Sequence, residues 1–90
     1  MLTKQEFAEN IVDEFCKEDG VAREDAHTRI YASSRLAVAL EFLGELSEEE
    51  KEYSSQRAGT EYQKIVLNDD GTFNEVHFLT TREMLQLLPN

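Results

Sequence analysis

Residues 61–79, EYQKIVLNDDGTFNEVHFL, decide the fold class. Two runs rich in Tyr, Ile, Val and Phe, Glu61 to Leu67 and Thr72 to Leu79, flank Asn68-Asp69-Asp70-Gly71. β-Branched and aromatic residues suit the pleated, half-buried surface of a strand, and the Asn-to-Gly cluster punctuates them as a hairpin turn. With Asn68 opening a type I turn and Gly71 in the left-handed bulge position, a three-residue loop pairs Leu67 with Phe73 and Tyr62 with Phe78. On that register Leu67, Phe73, Ile65 and Leu79 share one face, and Val66, Val76, Tyr62 and Phe78 the other. Both faces are half apolar. A two-stranded ribbon alone is marginal in water, so helices must cover it.

Those helices are announced by capping signatures on either side. Thr3 and Glu6 form a T-x-x-E capping box with Leu2 and Phe7 as its hydrophobic staple, and a first helix runs from about residue 4 to 18. Its apolar stripe is Phe7, Ala8, Ile11, Val12, Phe15 and Cys16, and Gly20 supplies the left-handed residue that ends it. A second stripe from about Ala22 through Ala26, Ile30, Ala37 and Leu40 predicts a continuous second helix, with Asp25 and Arg29 as an i, i+4 pair, ended by Gly44. Its last part, Leu36 to Leu43, is apolar almost all round and must be covered on every side, by the rest of the fold or by a second copy. Ser47 and Glu50 start a short third helix to about Arg57. Tyr53 and Ala58 are its only apolar residues, so weak packing and a loose end near Ser54, Ser55 and Gly59 are expected. Thr80 and Glu83 start a last short helix bearing Met84, Leu85, Leu87 and Leu88, which Pro89 stops. The expected architecture is α+β over residues 1–90: three N-terminal helices, a two-stranded antiparallel β-hairpin and a short C-terminal helix.

Composition narrows the function classes. The 90 residues are 40% apolar and 31% charged, with 19 acidic against 9 basic residues and a net charge of −10. That is an ordered domain's apolar share, and it argues against disorder. The single cysteine, Cys16, makes no internal disulfide, and the chain opens without a basic segment leading into an apolar one, so a reducing cytoplasm is expected. The apolar run Leu36 to Leu43, broken by Glu41, falls far short of the roughly 20 residues that cross a bilayer. Phosphate binding depends on Lys and Arg, so this charge opposes direct contact with nucleic acid or anionic lipid, and it attracts basic proteins.

Catalytic and metal chemistry finds little support. Cys16 lies among Asp13, Glu14 and Glu18, acids that raise a thiol pKa, which makes it a core or boundary residue. His27 falls on the polar side of the second helix, and His77 lies in a strand opposite Gln63. No C-x-x-C, H-x-x-x-H or H-E-x-x-H is present, and no metal or other cofactor is expected. The Asn68-to-Gly71 turn superficially matches a calcium loop, but with Gly71 at loop position 6 the first and last ligand positions become Val66 and His77. With no phosphate loop, nucleophile elbow or spaced carboxylate pair, the chain is expected not to be an enzyme.

Charge placement is the remaining signal. Glu41, Glu45, Glu48, Glu49, Glu50 and Glu52 stand against Lys51 alone, a local net of −5. Glu6, Glu9 and Asp13 fall opposite the apolar stripe of the first helix. Helix neighbours at these spacings lie about 5–6 Å apart, and phosphates on one DNA strand recur about every 3.4 Å, so ridges of carboxylates coarsely imitate a phosphate track. These nine acids, with Tyr31, Phe42, Leu46 and Tyr53 as apolar anchors, are the expected partner-binding residues.

The primary expectation is a non-catalytic inhibitor that occupies the basic groove of a nucleic-acid-processing protein. By analogy of charge and size it falls with phage-borne DNA mimics, anti-restriction and anti-CRISPR proteins, and nuclease immunity proteins. The alternative is an adaptor that self-associates as a homodimer, or docks onto a larger assembly, through the Leu36 to Leu43 helix and the open hairpin edge.

Overall fold

A computed structural model of the chain describes residues 2–67 and 75–90, the side chains of 64–67 and 75–77 excepted. The fold is mixed α+β and mostly helical. In chain order come α1 (Lys4–Asp19), a 3₁₀ helix (Arg23–Arg29), α2 (Ser34–Leu43), α3 (Glu48–Arg57), β1 (Tyr62–Leu67), β2 (Glu75–Thr80) and α4 (Thr81–Leu87). The capping boxes of α1, α3 and α4 form as their sequences predict. Thr3, Ser47 and Thr80 each accept from the amide three residues on, while Glu6, Glu50 and Glu83 reach back to the cap amides. Gly20 and Gly44 end α1 and α2 in the left-handed conformation.

The predicted continuous second helix is in fact two elements. Ser33 adopts extended backbone, at φ −146° and ψ 115°, and its hydroxyl accepts from the Leu36 amide, so α2 starts afresh at Ser34. A serine here offers the backbone a competing local hydrogen bond, and the chain turns instead of continuing helically. The segment before it winds as a 3₁₀ helix, in which residues three apart eclipse and residues four apart do not. Accordingly Asp25 and Arg29 form no ion pair among the described residues, and the i+3 contact is made instead, with Thr28 Oγ1 donating to the Asp25 carbonyl at 2.6 Å.

Helix α2 is the centre of the core. Leu36, Ala37, Val38, Ala39 and Leu40 are all at most 1% exposed. The chain covers them by itself: α1 supplies Phe7, Ala8, Ile11 and Val12, the 3₁₀ segment Ala26 with Ile30 just after it, and α4 Met84 and Leu85. Burial within one copy meets the demand of this apolar helix, and no second copy is needed to satisfy it. Phe42, one turn further, remains 43% exposed.

The end of α3 also differs from expectation. Ser54 is fully buried, and Ala58 and Gly59 are buried with it. Arg82 at the start of α4 donates to the last carbonyls of α3, from Nη2 to Ser54 at 2.7 Å and from Nε to Ala58 at 3.2 Å. Its Nη1 donates to Glu41 of α2 at 2.5 Å, and the Gly59 amide donates to Ser34 Oγ. A helix poor in apolar residues is thus anchored through its backbone: the Ala58 carbonyl at the cap accepts from Arg82, and the Ser54 carbonyl, already bonded to the Ala58 amide, accepts a second hydrogen bond through its other lone pair.

Strands β1 and β2 pair antiparallel as predicted, but two residues out of the expected register: Tyr62 opposes Thr80, Gln63 Leu79 and Ile65 His77. A slip of two preserves which residues share a face. Tyr62 and Phe78 therefore still share one, and both are 69% exposed, whereas Leu79 packs against the core. The expected pairing of Leu67 with Phe73 is replaced by Leu67 opposite Glu75, whereas the expected Asn68-to-Gly71 turn and the calcium-loop comparison lie outside the described residues. At the other end, Lys4 ties α1 to the end of α4, its amide donating to Pro89 O at 2.7 Å and its ammonium to Leu88 O.

Candidate interaction surface

The 3₁₀ helix organises the acidic residues. Its first residue, Arg23, forks onto Glu45, with Nη1 to Oε1 at 2.8 Å and Nη2 to Oε2 at 2.7 Å. The same guanidinium lies 3.7 Å from Glu9 and 3.9 Å from Asp13 on the outer ridge of α1. Carboxylates from two separate segments thereby converge on one cation. Three negative charges against one positive leave this cluster net negative. The bidentate hydrogen bond from Arg23 holds the Glu45 carboxyl below its ordinary value, against the opposing effect of burial, and raises the guanidinium in return.

A further acid, Glu50, is held by another residue of the same 3₁₀ helix. Its Oε1 accepts from the Ser47 amide at 2.9 Å, and its Oε2 lies 3.0 Å from His27 Nδ1. His27 is four residues beyond Arg23, about 8 Å along a 3₁₀ axis. The Ser47 backbone hydrogen bond is the largest cause holding the Glu50 carboxyl below its ordinary value; burial opposes it, and the His27 contact adds to it. Glu48 reaches Lys51 at 3.3 Å, and Glu52 accepts from Gln56 at 3.3 Å. Glu49 is exposed and makes no ion pair among the described residues. Glu48 and Glu49 lie in the first turn of α3, at the positive end of its dipole, where carboxylates are favoured, and Glu52 lies in the turn after it.

Two predicted acids have other tasks. Glu41 is bound to Arg82 between α2 and α4, with its side chain 24% exposed. Glu6 closes the α1 capping box, and the Thr3 amide holds its carboxyl below the ordinary value. Of the expected apolar anchors, Leu46 belongs to the core at 6% exposure, because Gly44 turns the chain back and carries Leu46 inward. Tyr31 is 64% exposed and tilts against half-buried Tyr53, with ring centroids 4.4 Å apart and planes at 52°. Phe42 borders a shallow hollow of about 220 Å³ between α2 and α4, lined also by Val38, Arg82 and Leu85.

Arg23, His27 and Arg82 organise the acids; the sequence pattern points to neither arginine, and it places His27 on a polar face without linking it to the acids. Their partners lie 22, 23 and 41 positions away in the chain, separations that no local pattern reports. Cys16 is half-buried at the edge of the core. Among the described residues no group of three or more His, Cys, Asp and Glu could hold a metal ion, and no helix is long and apolar enough to cross a membrane. No protein-family model, curated protein or solved structure matches the chain.

Proposed function

We propose that the chain is a non-enzymatic acidic binding protein that seats its Arg23-centred face in the basic groove of a nucleic-acid-processing protein and blocks it. The observation that carries this reading is the convergence of Glu9, Asp13 and Glu45 on a single guanidinium, with Glu50 and His27 alongside. Internal ion pairing holds the carboxylates in place before a partner arrives, which lowers the ordering cost of binding. The surplus negative charge favours association with a cationic surface, and exposed Tyr31, tilted against half-buried Tyr53 one helical turn from Glu49 and Glu50, supplies an apolar contact. Direct binding to nucleic acid or anionic lipid is opposed by the same charge. The proposed compartment is the cytoplasm, in keeping with a lone cysteine.

One observation favours a second reading, an adaptor that docks through its hairpin: Tyr62 and Phe78 are both 69% exposed on a two-stranded sheet. The buried part of α2 no longer contributes to that reading. Affinity capture from the native host's lysate at low and high salt separates the two. A basic nucleic-acid-binding protein released by salt supports the inhibitor; a partner retained at high salt, and lost on Tyr62→Thr with Phe78→Thr, supports the adaptor and overturns the first reading.

A further inference from the structure

We draw no further inference here: the strongest candidate, the outward aromatic patch of the hairpin formed by Tyr62 and Phe78, both 69% exposed, carries nothing because nothing in the structure shows what covers it.

Discussion

Replacing Arg82 by Met tests the anchoring of α3 while keeping the apolar stem of the side chain in place. The substitution removes three hydrogen bonds, to the carbonyls of Ser54 and Ala58 and to the Glu41 carboxylate. The losses are unequal. The Ser54 carbonyl keeps the Ala58 amide as a partner at 3.0 Å, whereas among the described residues Arg82 is the one hydrogen-bond donor to the Ala58 carbonyl. A hydrogen bond to a charged group contributes about 1.5–3 kcal/mol when buried, and an exposed ion pair about 0–1 kcal/mol. The Arg82 and Glu41 side chains are 34% and 24% exposed, so water replaces part of each interaction. The expected loss is about 3 kcal/mol, a large share of the roughly 5–13 kcal/mol typical of a chain this size. Urea unfolding followed by circular dichroism reads it directly: with a slope of about 1 kcal/mol per molar, the midpoint moves down by about 3 M. Arg82→Lys keeps a charge near Glu41 but cannot fork to both carbonyls, and is expected to lose about half as much. If Arg82→Met unfolds at the parent's midpoint, the anchoring account of α3 is wrong.

The same structure yields five further outcomes. Gly59→Ala is expected to cost about 2 kcal/mol or more, because at φ +80° its β-carbon would lie 2.5 Å from Val38 Cγ2 and 2.7 Å from Arg82 Nε. Gly44→Ala, at φ +74° with open space around it, should cost only about 1 kcal/mol in the same urea assay. Ser33→Ala removes the α2 cap and should cost about 1 kcal/mol; an unchanged stability would mean that the break before α2 does not depend on that hydroxyl. Glu6, Glu45, Glu50 and Glu61 all titrate below their ordinary value of 4.5 in the folded chain. Their stabilisation is therefore present above pH 4.5 and lost as pH falls through the lowered values, so urea midpoints should hold from neutral to mildly acid pH and drop below it. Arg23→Gln should flatten that drop by returning Glu45 towards its ordinary value.

How far the sequence was legible depended on the range of the interactions. The starts of α1, α3 and α4 were readable because a capping box is complete within four residues, as in Ser47 to Glu50. The face alternation of the strands survived a register error, since a slip of two returns each side chain to its own side. The break before α2 was missed because the apolar spacing of Ala26, Ile30 and Ala37 runs across it, and the Ser33 hydroxyl outweighs that periodicity locally. The acids were legible as a composition, but their division of labour was not. Glu41 and Glu45 are four residues apart and look alike in sequence; one is drawn to Arg82 to hold helices together, the other to Arg23 on the candidate face. Leu46, beside those acids, reads as a surface anchor until the turn at Gly44 places it in the core.

The central claim is that the acidic face does the binding. It is tested most directly by measuring the affinity of the captured partner for the parent and for the Glu9→Gln, Asp13→Asn, Glu45→Gln, Glu50→Gln variant, which neutralises the acids of the Arg23-centred face, across a series of salt concentrations. Gln at position 50 can still serve the capping box, so the variant should keep its helical circular dichroism. The account predicts affinity weaker by about tenfold or more at low salt and a flatter dependence on salt, because charges facing a basic groove act mainly through association rate and screening. Equal affinity at low salt, with an unchanged salt slope, would contradict it.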